Sequence, residues 1–337
     1  MIKEATNKLL KQEQIVDAEL KEVFEEIFSG LANNIQTTSF LTAANNSNLS
    51  NEIISCAIEV ASQSIKKVFN IPYSDNLMEN IVLKKDENIF DISLIQDLIC
   101  SSAELNVSKY TFYNSLTLNQ SFDILKKLGV NLEKEINYND IEFEKLNFSY
   151  FYLSQENPYY KYSEPIRANL AFDNIFDITK KMLNPLNAKN IFIGVSKKDL
   201  VEKYANICLK LQKNNSIIVC GENSIPFISP SGESYIAEAW KNKIFTYVVT
   251  PELLGFNEYE IEKITCNNNE ENANDILEII SNKKQDAKYE AAILNSALSL
   301  YITKKADSII DGIDLAKKLI SNGVVLEKFK QIKQFYS

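Results

Sequence analysis

Hydrophobic positions along the chain change their period near Pro72. From Lys3 to about Phe69 they recur at helical spacing. Leu20, Val23, Phe24, Ile27 and Phe28 share one face, and Ser29-Gly30 ends that helix. Ser50 can cap a second helix whose stripe is Ile53, Ile54, Ala57, Ile58, Ala61 and Ile65. After Pro72, short β-rich runs alternate with helical ones. Strands are expected at 81–83, 106–109, 148–153, 191–195, 216–220 and 244–249, and helices near 93–104, 121–128, 199–212 and 288–303. The alternation predicts an α/β domain with a largely parallel sheet, beside a small N-terminal helical domain. The Asn-rich patches at 45–48 and 266–274 read as solvated loops or helix starts.

Composition narrows the function classes. The chain has 337 residues, 45% hydrophobic and 24% charged, enough for a large core and, by length, two domains. Its formal charge of -9 opposes non-specific attraction to nucleic acid or anionic membrane, although a local basic patch stays open. The N-terminus has no apolar signal-like core, and the apolar stretch at 291–302 is too short to span a bilayer, so a cytoplasmic protein is expected. Cys56, Cys100, Cys208, Cys220 and Cys266 are odd in number and form no Cys-x-x-Cys pair, which reads as buried free thiols.

Two absences constrain mechanism. There is no histidine, which excludes His bases, Ser-His or Cys-His nucleophiles and His-ligated metals. Glycine numbers 8, and none lies between Gly30 and Gly129, so no glycine-rich phosphate cradle exists in that interval.

Local motifs then carry a resemblance. Ser216 to Phe256 is similar, without a gap, to a stretch of the anthranilate phosphoribosyltransferase family. Phe28-Ser29-Gly30 with Gln36 and Ser39-Phe40-Leu41, Pro165-Ile166-Arg167, Ile175-Phe176, Leu183-Asn184-Pro185, Asn272-Ala273, Leu294-Asn295, Gly312, and Ser321 with Gly323 follow in family order. The resemblance implies a helical domain at 1–69, rejoined by about 165–188, and an α/β domain at 70–164 and 189–337. It also implies a substrate cleft between them and dimerisation through the helices.

The same resemblance allows the chemistry to be checked position by position. Where the family has a glycine-rich loop for phosphoribosyl pyrophosphate, this chain has Leu83-Lys84-Lys85-Asp86-Glu87. Lys84 and Lys85 can act as point-charge phosphate binders, or the run is a solvated turn. The next motif resembles Asp91-Ile92-Ser93-Leu94. Ser93 keeps a hydroxyl that meets metal in the family, while Asp91 is by itself a good helix cap. Of the following family loop, Lys109 and Thr117 survive; its His, Gly, Asn and Arg do not.

Arg167 stands where the family meets the anthranilate carboxylate, a geometry that suits a guanidinium; an ion pair with Glu164 is the alternative. Asp173-Asn174 and Lys180-Lys181 replace the family's Arg-Thr and Gly-Pro. Pro226-Phe227 occupies the place of an Asp-Glu pair that holds magnesium, and neither side chain offers oxygen. Glu222 or Glu233 could approach that cleft only after a loop shift. The aromatics Phe148, Tyr150, Tyr152, Tyr159, Tyr160 and Tyr162 read as strand and loop packing rather than a base-stacking surface, having only Lys161 among them.

Three functions are consistent with these residues. The first is a degenerate family member that binds or interacts without catalysis, with no metal. The second is a divergent, magnesium-assisted transferase moving phosphoribose to anthranilate or a related aromatic acceptor, as in tryptophan biosynthesis, with Lys84, Lys85, Ser93, Lys109, Thr117 and Arg167 holding the anions. The third, nucleic-acid binding, is opposed by the charge. A homodimer with a small aromatic acid or phosphoribosyl pyrophosphate as ligand, and no membrane, is the expected set of partners.

Overall fold

A computed structural model describes residues 1–47, 49–66, 75–83, 88–113, 120–133 and 145–337. Lys84, Lys85 and Thr117, and the expected junction near 69–70, lie outside the described residues.

The helical part begins with α1 (Ile2–Leu10), α2 (Asp17–Phe28), α3 (Asn34–Asn46) and α4 (Asn51–Lys66). The expected faces are the buried ones: Leu20, Val23, Phe24, Ile27 and Phe28 all lie inward. Gly30 follows α2 with φ +77, a conformation that favours glycine, and a Cβ there would lie 2.3 Å from the Tyr162 ring and displace it. Asn33 caps α3 in a reciprocal box with Gln36.

The α/β part runs β1 (Leu77–Val82), α5 (Ile92–Ser102), β2 (Asn106–Phe112), α6 (Gln120–Lys127), β3 (Phe148–Leu153), α7 (Pro158–Arg167), α8 (Ile175–Lys181), β4 (Asn190–Gly194), α9 (Asp199–Lys210) and β5 (Asn215–Gly221). It continues with β6 (Ser234–Trp240), β7 (Lys243–Val249), α10 (Asn269–Ile280), α11 (Ala287–Ile302), α12 (Ile309–Ser321) and α13 (Val324–Phe335). The sheet order is β3-β2-β1-β4-β5-β6-β7. The first five strands are parallel, and β6 and β7 join antiparallel.

Two apolar cores flank this sheet. Leu77 and Ile81 of β1 face the first, with α1–α4 and α7–α9, whereas Met78 faces the second, with α5, α6 and α10–α13. Two expectations are corrected. The first strand starts at Leu77 rather than 81, because the polar pair Glu79-Asn80 is buried inside it and hides its apolar pattern. Strand β6 was not expected, because Ser, Glu and two Ala give it weak β character. The 266–274 patch is a helix start, with Asn268 capping α10.

Topology marks a candidate location for the crevice. The chain builds β1, β2 and β3 outward, then returns across to β4 on the other side of β1. Open α/β sheets bind ligands at the strand carboxyl ends where the order reverses in this way. Here that point lies between Val82-Leu83 and Gly194-Val195, where the Leu83 N–H donates to the Gly194 carbonyl at 3.0 Å.

Candidate functional site at the carboxyl ends of the sheet

The start of α5 holds the first group of expected residues. Asp91 caps the helix: Oδ1 accepts from the Leu94 N–H at 3.3 Å and the Ser93 hydroxyl at 2.7 Å, and Oδ2 accepts from Ser121 Oγ at 2.6 Å. Lys109 on β2 reaches across and donates to Ser93 Oγ at 3.1 Å. The same ammonium pairs with Asp97 at 2.9 Å and lies 5.2 Å from the Tyr150 ring centroid. Asp97 is fully buried and also accepts from Asn80 and Tyr150. Burial pushes its carboxyl above the usual range, against the Lys109 charge and the Tyr150, Lys109 and Asn80 hydrogen bonds.

Ser93 and Lys109 are therefore brought together at the start of α5. Both are also engaged by carboxylates, Ser93 by Asp91 and Lys109 by Asp97, so an entering anion meets cation and acid together.

Arg167 sits at the end of α7. Its Nε and Nη2 donate to the two Glu164 oxygens at 2.8 Å each, a bidentate pair, and Nη1 donates to Asp177 at 3.0 Å. Lys180 joins Glu164 at 3.2 Å and lies over the Tyr160 and Phe112 rings. Burial raises the Glu164 carboxyl, but the Arg167 and Lys180 charges and hydrogen bonds outweigh it and leave it below the usual range. The Arg167 guanidinium is held firmly protonated by Glu164, against burial and with help from Asp177.

One residue at the crevice was not among those expected. Lys181 donates from Nζ to the Val82 carbonyl at 3.1 Å and to that of Leu83, placing a cation on the carboxyl end of β1. The Lys180-Lys181 pair was noted as a departure from the family; only the fold reveals that its two members go to different places.

The loop after β5 closes the crevice on the other side. A Cβ on Gly194 would lie 2.0 Å from the Pro226 carbonyl oxygen, so β4 and this loop touch backbone to backbone. Pro226 is buried and the Phe227 side chain is fully buried. The loop is pinned by Asn295 on α11, which accepts from the Ile228 N–H at 2.8 Å and donates to the Ile228 carbonyl at 3.2 Å. Leu294-Asn295 thus works as frame. Glu222 and Glu233 are exposed, and Glu233 accepts from Tyr235 at 2.7 Å. A magnesium ion does not fit the 226–227 position, because a buried ring and a pyrrolidine fill it and offer no side-chain oxygen.

A second group could hold a cation. The ligand atoms of Cys266, Glu271 and Asp275 lie within 4.8 Å of one another. Asp275, however, already pairs with Lys288 at 2.5 Å and with Lys284, and both ammoniums would have to be displaced.

Of the aromatic run, Phe148, Tyr150, Tyr159 and Tyr160 are buried, Tyr152 is half-buried and Tyr162 is exposed. Tyr150 stacks between Phe148 (4.4 Å) and Phe122 (5.2 Å), and Tyr160 stacks on Phe112 at 4.4 Å. Among the described residues no helix is long and apolar enough to cross a membrane. Cys100, Cys208, Cys220 and Cys266 are buried free thiols, and Cys56 is half-buried.

Comparison with known proteins agrees with this architecture. The profile described as "Glycosyl transferase family, a/b domain" matches residues 85–326. An anthranilate phosphoribosyltransferase of Acetivibrio thermocellus is 28% identical over 337 residues, covering 99% of this chain and 96% of that one. One from Streptococcus pneumoniae is 26% identical over 336 residues, covering 99% of each. Among solved structures, anthranilate phosphoribosyltransferase from Thermus thermophilus has a TM-score of 0.84 at 20% identity, over 98% of this chain and 99% of that one. The Saccharomyces cerevisiae enzyme in complex with PRPP and Mg has a TM-score of 0.84 at 20% identity, over 99% and 97%. These structures share the fold described above, with its helical domain and its larger α/β domain. Since the profile covers more than half of its length, the chain belongs to the glycosyl transferase family, a/b domain, and has the fold of the anthranilate phosphoribosyltransferases.

Proposed function

We propose that this chain is a divergent phosphoribosyltransferase that takes a phosphorylated ribose donor and an aromatic carboxylic acid in the crevice between its helical and α/β parts. The observation that carries the reading is the meeting of Ser93 and Lys109 at 3.1 Å beside the switch point, within a chain alike over its whole length to anthranilate phosphoribosyltransferases. Lys109, Lys181, Lys84 and Lys85 hold the donor's anionic groups as point charges, with Ser93 and Thr117 as hydroxyl donors. Arg167 takes the acceptor carboxylate when it exchanges Glu164 for the ligand. Because positions 226 and 227 provide no side-chain oxygen ligand, donor binding depends little on magnesium, and transfer is slow for want of charge neutralisation on the departing pyrophosphate.

A second reading, in which the frame binds its ligand without transferring, is favoured by one observation. The fully buried Phe227 occupies the place where the family resemblance puts a metal carboxylate. The two readings separate in one experiment: phosphoribosyl pyrophosphate and anthranilate are incubated with the purified chain, and pyrophosphate release is followed. Steady release that is lost in Lys109→Met supports transfer; donor binding without release supports the second reading.

The helical part is also the proposed self-association surface of a cytoplasmic homodimer, since Leu31 (80%), between α2 and α3, and Ile35 (79%), in the first turn of α3, stand exposed. Residues 1–69 with 165–188, and the remainder, are the proposed domains. Sedimentation of the wild type against Ile35→Glu tests the dimer.

A further inference from the structure

Behind the crevice, Cys266 and Lys288 form a pair that the proposed transfer does not use. Lys288 Nζ lies 3.2 Å from Cys266 Sγ and 2.5 Å from Asp275 Oδ2, and Asp275 Oδ2 lies 3.8 Å from the same sulfur. Cys266 and Lys288 are each 5% exposed. Glu271 stands 3.6 Å from Lys288, and Lys284 also binds Asp275. Thiol, ammonium and carboxylate are thus held together by three elements of the fold. Among the described residues, no other thiol is shown hydrogen-bonded to an ammonium.

We propose that this pair is an oxidative modification site, at which peroxide closes a covalent sulfur–nitrogen bond between Cys266 and Lys288. Peroxide oxidises the thiol to a sulfenic acid and releases one water. The Lys288 ammonium releases a proton. The freed nitrogen lone pair attacks sulfur, the S–O bond breaks, and the oxygen leaves as a second water with a proton from nitrogen. In sum, thiol, ammonium and one peroxide yield the sulfenamide, two waters and a proton; sulfur is oxidised and peroxide is reduced. Nitrogen and sulfur are already in contact, so the condensation needs no large movement of the fold.

The bond would act on the crevice through one short path. The Cys266 N–H donates to the Asn88 carbonyl at 2.8 Å, Ile89 bridges Thr265, and Lys288 lies 5.6 Å from the Phe90 ring centroid. Asn88 to Phe90 lead directly into Asp91 and Ser93, so the crosslink ties the approach to the α5 cap onto the start of α11.

The test is peptide mass spectrometry on the full chain after hydrogen peroxide, with unreduced tryptic digestion. The expected product joins peptide 264–283 to peptide 285–304, uncleaved at Lys288, with a loss of about two hydrogens relative to their sum. Dithiothreitol should reverse it. Lys288→Arg keeps the cation beside Asp275 but supplies a poor nucleophile, and should abolish the joined species while Cys266 proceeds to sulfinic acid. Oxygen adducts on Cys266 with no joined peptide in the wild type would overturn the proposal, as would a species joining Cys266 to the peptide around position 288 in Lys288→Arg.

Discussion

Lys109 and Asp97 form an ion pair at 2.9 Å beneath the carboxyl ends of the sheet, with the carboxylate wholly buried and the lysine nearly so. The pair explains how a cation can be kept beside the α5 cap in an apolar interior. It also sets the main restraint on the crevice, because the charge available to a ligand is shared with Asp97.

Removing one partner should therefore be costly. Asp97→Asn leaves the Lys109 ammonium without its counter-charge and is expected to destabilise the chain by about 3 kcal/mol in urea unfolding. Adding Lys109→Met should recover a large part of that loss. A double variant as unstable as the sum of the two single variants would show that the pair is not coupled.

Phe227 is core rather than a vacated ligand position. Phe227→Glu should cost at least about 3 kcal/mol through lost packing and a buried charge, and magnesium should not restore it. Thermal melts with and without magnesium check this, and a magnesium-dependent rise in Tm for the variant would contradict the packing described for the loop.

Glu164 competes with any carboxylate ligand for Arg167. In Glu164→Gln the guanidinium keeps Asp177 but loses its bidentate partner, and anthranilate should bind on the order of tenfold more tightly, which is about 1.4 kcal/mol. Calorimetric titration of both proteins with anthranilate measures the difference. Unchanged affinity would remove Arg167 from the acceptor site.

Stability should fall as pH rises from about 5 to 8. Glu79 is 2% exposed, and burial, opposed by Lys213 and Lys109, pushes its carboxyl up to about 8 from the ordinary value of 4.5. In that window the folded chain retains a proton that the unfolded chain has released. Stability is thus complete below the unfolded value and declines by up to about 1.4 kcal/mol per pH unit until the folded group ionises. Denaturant midpoints across this range should show the slope, and Glu79→Gln should flatten it.

Much of the fold was legible because its signals are local and repeated. The α2 and α4 stripes, the 148–153 strand and the helix at Ala287–Ile302 follow from spacing alone. β1 and β6 were harder to read: burial of Glu79 and Asn80 is decided by tertiary partners, and β6 is a strand because β5 and β7 pair with it. At the site, the Ser93–Lys109 contact depends on β2 passing beside the start of α5, and Lys181 becomes a crevice residue only once α8 ends against β1. Arg167 was legible both as a residue of interest and in its alternative pairing, since Glu164 is one helical turn away.

The central claim is that crevice cations, rather than a metal, hold the donor. Titration calorimetry of the purified chain with phosphoribosyl pyrophosphate, in magnesium and in chelator, tests it most directly. The account predicts binding in both conditions with affinities within a few-fold of each other, weakened by Lys109→Met. Binding seen only with magnesium would contradict it, and no heat in either condition would remove the donor from this crevice.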